Sequence, residues 1–205
     1  MVGEGPIDEN KRATLRRFAS IGAASPLATL ATDDASASDS DRPDAIAGYL
    51  DRTPGAHFSK LRDDLQLGTG EAQHHLDRLV EEGVIETRKD GDFRRYFPAD
   101  RFDEFEQIAL GYLRRETPRA MIVHWLRDPE ATGARLADRI GVSRATISQR
   151  AGDLEAAGLL DRRDGAALLR PETLLLLIVR YAGSFGPEAL DLAADADDLV
   201  RIDRA

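Results

Sequence analysis

Cysteine is absent from this chain of 205 residues, and lysine occurs at only three positions. Without thiols the chain cannot form disulfides, thiolate zinc sites or cysteine nucleophiles. The sequence also lacks a glycine-rich phosphate loop, a nucleophile elbow and a serine with a recognisable base, so we expect neither enzyme activity nor a cofactor. The apolar run at residues 174–179 is far shorter than the about 20 residues of a membrane span, so we expect no contact with a membrane.

The charge balance of the chain is strongly acidic. Arginine supplies all but three of the 28 positive charges, and 37 acidic residues bring the formal net charge to -9. Because a phosphate backbone attracts basic surfaces, this charge is equally compatible with an acidic protein that avoids DNA. An acid-rich, lysine-poor composition also resembles the proteins of halophilic archaea, whose hydrated carboxylates keep them soluble in concentrated salt. On that interpretation the net charge reflects adaptation to a salt-rich solvent and does not argue against DNA binding.

An internal repeat organises most of the chain. A shift of 75 residues aligns apolar and turn residues: Pro54 with Pro129, Leu61 with Leu136, Leu65 with Ile140, Leu79 with Leu154 and Gly83 with Gly158. Matches of this kind in one register indicate that a single module occurs twice.

Both copies show three helical periodicities followed by a hairpin pattern. The first copy predicts helices around residues 46–50, 58–65 and 72–80, a helix end at Gly83, and strands over 84–87 and 93–97 joined by a tight turn at 89–92. The second copy predicts a helix capped by Thr117 and followed by Pro118, a helix around 136–140, a third helix capped by Ser143, and a hairpin within 159–169. Further helices are expected between the modules, at 101–115, and after them, at 172–181.

Three helices followed by a β-hairpin form the winged helix-turn-helix arrangement. Residues 54–98 resemble archaeal winged-helix regulators of the ArsR/MarR-like group, and residues 131–163 are similar to the MarR-type version of the motif. The resemblance implies sequence-specific binding of double-stranded DNA, commonly by a homodimer. We therefore predict a mainly α fold with small β-hairpins (α+β), built from two tandem winged helix-turn-helix domains with an N-terminal, an inter-domain and a C-terminal helix.

The expected domain boundaries follow these patterns. They are 1–42 for an N-terminal helix and flexible acidic linker, 43–98 for the first winged helix, 99–116 for the connecting helix, 117–170 for the second winged helix and 171–205 for a C-terminal helix and acidic tail. The linker character of residues 32–44 rests on small, polar and acidic side chains without an apolar anchor.

The candidate DNA-binding residues lie on the third helix and hairpin of each module. In the second module, the helix face opposite the apolar residues carries side chains that can read base edges or contact phosphate, and the hairpin adds two arginines: Arg144, Thr146, Gln149, Arg150, Arg162 and Arg163. In the first module the corresponding residues are Gln73, His74 and His75 on the helix and Arg88, Lys89, Arg94 and Arg95 on the hairpin. Solvated surface arginines are the alternative in both, and Glu71 and Asp77 make the first helix less suited to phosphate.

Other features leave alternatives open. Arg16 and Arg17 precede a weakly apolar stretch that resembles a twin-arginine export signal, but export would separate the protein from DNA, so we expect a cytoplasmic protein. Adjacent residues on a helix point about 100° apart, so His74 and His75 are not expected to chelate a metal.

Two expectations concern partners. A homodimer would use the apolar faces of residues 174–179 and 101–112, because these exceed what one small module can cover. The rival function is an adaptor that mediates protein–protein contacts, since tandem winged helices also occur in chromosome-segregation and polymerase-associated proteins, where the recognition helix touches no base.

Overall fold

The structure, a computed structural model, describes residues 41–196. Four expectations from the sequence lie outside these residues: the N-terminal helix, the possible export signal, most of the linker and the end of the acidic tail.

The first copy of the repeat folds into three helices and a small sheet. Its elements are α1 (Asp41–Arg52), β1 (Ala56–His57), α2 (Phe58–Asp64), α3 (Thr69–Glu81), β2 (Ile85–Asp90) and β3 (Phe93–Pro98). β3 lies in the centre of the sheet and pairs antiparallel with both β1 and β2. The predicted hairpin corresponds to β2 and β3, but the sequence did not predict β1, because a strand of two residues is too short to produce an alternating pattern.

The beginning of α1 corrects the extent of the expected linker. Asp41 and Asp44 lie in the first turn of the helix, where carboxylates interact favourably with the helix dipole. Pro43 is tolerated there because the N–H groups of a first turn have no partner within the helix. Residues 41–44 are therefore helical, and a linker cannot extend to residue 44.

The second copy and the segments around it are almost entirely helical. The elements are α4 (Glu104–Leu113), α5 (Glu116–Arg127), α6 (Gly133–Ile140), α7 (Arg144–Ala156), β4 (Leu160–Asp161), β5 (Ala167–Leu168), α8 (Pro171–Tyr181) and α9 (Pro187–Ala194). α4 is the expected connecting helix, and α9 is an additional helix that the sequence patterns do not predict. Within residues 41–196 no helix is both long enough and apolar enough to cross a membrane.

The start of α5 differs from the prediction. Arg115, and not Thr117, occupies the N-cap position, and its side chain makes no capping hydrogen bond to the helix. Only Arg114 and Arg115 separate α4 from α5. Because the connection is so short, the second helix begins at once, and Thr117 and Pro118 are already helical.

The equivalence of the two copies extends to backbone geometry. Gly83 and Gly158 follow α3 and α7 with φ angles of 71° and 72°. Glycine adopts this left-handed conformation without strain, so both residues end their helices in the same way. Leu79 and Leu154, the aligned residues near the ends of these helices, are both buried. The repeat found in the sequence is confirmed.

The three-stranded sheet separates two hydrophobic cores. Tyr96 of β3 lies in the core formed with α1, α2 and α3. Phe97, the next residue, lies in the larger core formed by α4 to α9. Successive side chains of a strand point to opposite faces, so one sheet covers both cores. The two winged helices are therefore joined through a shared layer.

The connecting helix α4 and the C-terminal helix α8 pack against each other within the chain. Leu174 and Ile178 are fully buried, and the rings of Phe102 and Tyr181 meet edge-on with centroids 6.0 Å apart. The expectation that these faces are free for dimerisation is therefore wrong for most of their residues, because the chain covers them itself. Leu176 and Val179 of α8 stay exposed, by 65% and 37%.

Candidate nucleic-acid interface

The recognition helix of the second domain, α7, presents a polar face to solvent. Its buried stripe consists of Ile147, Ala151 and Leu154. On the remaining surface, Arg144 and Gln149 are exposed, whereas Thr146 and Arg150 are half-buried. The structure thus gathers the four predicted side chains of this helix outside its buried stripe.

The first turn of α7 is held by the predicted cap. The Ser143 hydroxyl oxygen accepts a hydrogen bond from the Thr146 N–H at 3.0 Å, and the two hydroxyl groups lie 2.9 Å apart. This cap satisfies a helix N–H that has no partner within the helix. The Thr146 hydroxyl is therefore engaged, and its methyl group is the part available for other contacts.

The remaining polar residues of α7 differ in their partners. Arg150 donates from Nη1 to Oδ2 of Asp153 at 2.9 Å. Arg144 and Gln149 form no hydrogen bond or ion pair with any residue that the structure describes. A ligand could therefore contact either of these two long side chains without first breaking an ion pair.

Arg139, in the last turn of α6, is a further candidate that the sequence analysis missed. It is exposed and, within the described part of the chain, forms no ion pair. The turn from Gly141 to Ser143 then leads into α7. A cation in a last helical turn is common because it interacts favourably with the helix dipole, so the residue type alone gave no functional signal.

The two winged helices differ in charge. Residues 117–170 contain nine arginines and seven acidic residues, a formal charge of +2. Residues 43–98 contain eight basic and eleven acidic residues, a formal charge of -3. Because phosphate contacts require positive charge, the second domain is better suited to DNA than the first.

The hairpin of the second domain carries the two predicted arginines on its exposed side. Arg163 donates from Nη2 to Oδ2 of Asp161 at 2.5 Å, and this hydrogen bond helps to lower the pKa of Asp161 to about 2. Arg162 lies 3.6 Å from Oε2 of Glu155. Both arginines are accessible, but a phosphate would compete with these carboxylates for them.

The recognition helix of the first domain, α3, offers fewer free groups. Gln73 donates from Nε2 to Oδ2 of Asp77 at 2.9 Å, and His74 is exposed. His75 is only 2% exposed, so its prediction as a DNA contact is wrong. The sequence contained the signal, because position 75 lies three residues after Ala72 and four before Leu79, on the buried stripe of the helix.

Two of the four predicted DNA-binding cations on the hairpin of the first domain are engaged in contacts within the chain. Arg95 is only 3% exposed, bonds to Asp90 and donates to the Gly55 carbonyl at 2.9 Å, so its prediction as a DNA contact is wrong. Burial lowers the pKa of Arg95. Arg88 is half-buried and donates to Glu104 at 3.0 Å.

The other two cations of this hairpin remain accessible. Lys89 is exposed and, among the described residues, has no ion-pair partner. Arg94 is exposed, 3.8 Å from Asp77, with its guanidinium 5.6 Å from the centre of the Tyr96 ring. Lys89 and Arg94 are paired across the hairpin, so both lie on the same face of the sheet.

The histidines show no metal-binding arrangement. Between residues 41 and 196, no three His, Asp or Glu side chains come together in a way that could hold a metal ion. The rings of His74 and His75 meet edge-on with centroids 5.5 Å apart, and one is exposed while the other is buried. His57 and His124 are half-buried.

Comparisons with known proteins cover both domains. A family model described as an N-terminal HTH domain matches residues 40–110, and a model of the MarR family matches residues 116–167. Each match contains three helices and a hairpin in the order described above. The chain is a tandem winged helix-turn-helix protein. The predicted fold class, mainly α with small β-hairpins, is confirmed.

Relatives of this tandem winged helix-turn-helix protein include an archaeal one. An uncharacterized HTH-type transcriptional regulator of Methanocaldococcus jannaschii is 25% identical over 119 residues, which make up 58% of this chain and 30% of that protein. The chain thus spans less than a third of that relative's length. The two family models and this relative confirm the predicted resemblance to archaeal tandem winged-helix regulators.

A solved structure also aligns with the chain. It is the mRNA-binding domain of elongation factor SelB from E. coli in complex with SECIS RNA, 20% identical, with a TM-score of 0.28 over 66% of this chain and 99% of that chain. A TM-score this low supports no conclusion about the present protein.

Proposed function

We propose that this protein is a sequence-specific, DNA-binding transcription regulator whose second domain reads bases through α7. The observation that carries the proposal is the pair of exposed side chains Arg144 and Gln149, which no described carboxylate engages. Most of the other surface arginines that the structure describes form ion pairs. Polar groups without partners on the outward side of a recognition helix favour an external ligand.

The chemistry of these side chains suits the major groove. A guanidinium can donate two parallel hydrogen bonds to O6 and N7 of guanine, and a glutamine amide can pair with N6 and N7 of adenine. In the proposal Arg144 and Gln149 make these contacts, and the Thr146 methyl group touches a thymine methyl. Arg150 would also contact DNA once its ion pair with Asp153 is broken.

Contacts to the DNA backbone complete the proposed interface. In the second domain Arg139 and the hairpin residues Arg162 and Arg163 would bind phosphates flanking the bases. The hairpin of the first domain would add Lys89 and Arg94. These contacts position the protein and carry no sequence information.

We also propose the domain boundaries expected from the sequence, with winged helices at 43–98 and 117–170 and the connector at 99–116, except that their first helices begin at Asp41 and Glu116. It places the protein in the cytoplasm, together with its DNA. It also includes a homodimer that binds a two-fold symmetric site, because a symmetric pair of domains matches a palindromic sequence. The exposed apolar residues Leu176 and Val179 would lie in the contact between the two copies.

The test is selection of bound sequences from random duplex DNA, carried out at several potassium chloride concentrations. Wild-type protein is compared with Arg144→Ala/Gln149→Ala and with Arg52→Ala. The control removes an exposed arginine of α1 that has no ion-pair partner among residues 41–196. We expect the wild type and the control to enrich one motif and the double variant to enrich none. If correctly folded wild-type protein enriches no sequence under any condition, the adaptor function replaces the proposal.

A further inference from the structure

The hairpin of the first domain forms an ion pair with the connector between the domains. Asp90, at the end of β2, bonds through one carboxylate oxygen to Arg95 of the same sheet and through the other to Nη2 of Arg115, at 2.5 Å. Arg95 also donates to the Gly55 carbonyl, so the buried cation is satisfied on both sides. The carboxylate thus joins the sheet of the first domain to the segment that begins the second.

Gly111 allows this arrangement to form. A Cβ atom at this position of α4 would lie 3.2 Å from Nε of Arg95 and 3.2 Å from Oδ2 of Asp90. Such contacts are shorter than ordinary van der Waals distances, so the ion pair would have to shift by a few tenths of an ångström to accommodate a side chain. The glycine in the middle of the connecting helix is therefore explained by the close approach of the hairpin.

The connection continues from the connector to the DNA-reading helix. The Arg115 guanidinium lies 4.6 Å from the centre of the Tyr112 ring. The Tyr112 hydroxyl donates to the main-chain oxygen of Asp153 in α7, at 3.1 Å. The hairpin and the end of α7 also line one cleft of about 290 Å³. We call Asp90, Arg115, Tyr112 and Asp153 the interdomain network.

The first domain has little of its own with which to read bases. Its formal charge is negative, His75 is buried, and Gln73 is bonded to Asp77. On the connector side of its sheet, Arg88 bonds to Glu104 of the connector, and Arg95 bonds to Asp90, the carboxylate that Arg115 also contacts. These two arginines are therefore not directed at a ligand.

We infer that the first winged helix positions the recognition helix of the second and does not itself read bases. The inference rests on the proposed function of α7. Tyr112 and Asp90 are positioning residues in this arrangement: they contact no base, yet they fix the orientation of the backbone that carries Arg144 and Gln149. Loss of one such hydrogen bond lets α7 shift, which weakens contacts that depend on orientation more than contacts with phosphate.

Tyr112→Phe isolates this role without disturbing the fold. The Asp153 oxygen also accepts from the Ala157 N–H at 3.1 Å, so the carbonyl keeps a partner when the hydroxyl is removed. Tyr49→Phe is the matched control, because the Tyr49 hydroxyl bonds at 2.8 Å to Asp64 within the first domain.

The experiment measures the affinity of each variant for the selected DNA site and for unrelated DNA. We expect Tyr112→Phe and Asp90→Asn to weaken specific binding about 3- to 10-fold, the effect of one hydrogen bond, with unrelated DNA bound as before. Tyr49→Phe and Gln73→Ala/His74→Ala should leave both affinities unchanged. Thermal unfolding of every variant verifies that the fold is intact.

Two results would overturn the inference. One is a loss of specific binding in Gln73→Ala/His74→Ala as large as in Arg144→Ala, which would show that the first domain reads bases itself. The other is a Tyr112→Phe variant that binds like Tyr49→Phe. The proposed function fails separately, when wild-type protein does not prefer any site or Arg144→Ala retains full preference. Combining Tyr112→Phe with Arg144→Ala adds a check: the losses should not be additive, because both act on the same contacts.

Discussion

Arg150 and Asp153 form an ion pair on α7, with 2.9 Å between Nη1 and Oδ2, on the helix that we propose to read DNA. The pair is partly exposed, so it contributes only a few tenths of a kcal/mol to stability. The ion pair matters mainly for DNA binding. The Asp153 carboxylate competes with DNA for the Arg150 guanidinium, and its negative charge would lie near the DNA phosphates.

Replacing this carboxylate should strengthen DNA binding. We expect Asp153→Asn to raise affinity about 2- to 10-fold, because Arg150 becomes free to make a contact worth roughly this factor. Glu82→Gln, which breaks the comparable pair of Arg78 and Glu82 in the first domain, is the control and should have no effect. Fluorescence anisotropy at fixed salt measures both. A weaker or unchanged affinity of Asp153→Asn would show that Arg150 does not contact DNA.

Stability should fall as the pH decreases below neutrality. Burial, followed by the charges of Arg95 and Lys60, lowers the pKa of His57 from 6.5, and burial, followed by Arg139 and Arg127, lowers the pKa of His124. The unfolded chain therefore takes up protons at a higher pH than the folded chain does. The stability contributed by the neutral imidazoles is complete above the unfolded pKa and is lost as the pH falls through the folded pKa.

The measurement is the denaturation midpoint at about pH 7.5 and about pH 5.5, a window that ordinary carboxylates do not enter. His57 is informative because its Nδ1 accepts a hydrogen bond from the Lys60 N–H at 3.4 Å, which requires the neutral ring. His57→Asn keeps an N-cap acceptor without a titrating group, so its midpoint should depend less on pH. An identical pH dependence in wild type and His57→Asn would contradict this explanation.

Two glycines in helices should respond in opposite ways to the same substitution. A Cβ atom at Gly48 of α1 would have no neighbour within 4 Å outside its own helix backbone, so Gly48→Ala should stabilise the protein by about 0.5–1 kcal/mol through helix propensity. Gly111→Ala should destabilise it by about 1–3 kcal/mol, because the methyl group lies 3.2 Å from both Asp90 and Arg95 and forces this partly buried pair to shift. Urea denaturation gives both values. Stabilisation by both substitutions would show that the interdomain network accommodates a side chain.

The proposed homodimer predicts an effect of charge at one exposed apolar residue. Leu176 is 65% exposed on α8, and Leu176→Glu should convert a dimer to a monomer in light scattering at micromolar concentration. Val84→Glu is the control, since Val84 is 44% exposed on the first domain. A monomeric wild type would exclude the homodimer, and a dimeric Leu176→Glu would place the contact elsewhere.

Much of the fold was predictable because both modules have strong local patterns. The stripe of Ile147, Ala151 and Leu154 gave the face of α7, Ser143 gave its beginning, and the repeat related the two copies. Weak local signals were missed: β1 has two residues, and α5 begins early because only two residues connect it to α4. Local patterns cannot indicate that α4 and α8 cover each other, since that contact joins distant parts of the chain.

The candidate site was predicted less well because residue type was given more weight than position. His75 falls on the buried stripe of α3, and Arg95 lies on the same face of β3 as the buried Phe97. The helical period of α3 and the two-residue period of β3 therefore predict that both side chains are buried. The ion pairs that engage Arg88 and Arg150 depend on three-dimensional proximity or on side-chain conformation, which the sequence does not specify.

The most direct test of the central claim is base discrimination by Arg144. Wild type and Arg144→Ala are titrated with the selected duplex and with duplexes that change one base pair at a time. We predict that Arg144→Ala loses about 1–3 kcal/mol of preference at a single guanine and keeps its preference at other positions. An equal loss of affinity for every duplex, with all preferences retained, would mean that Arg144 contacts only phosphate and would contradict base reading by this residue.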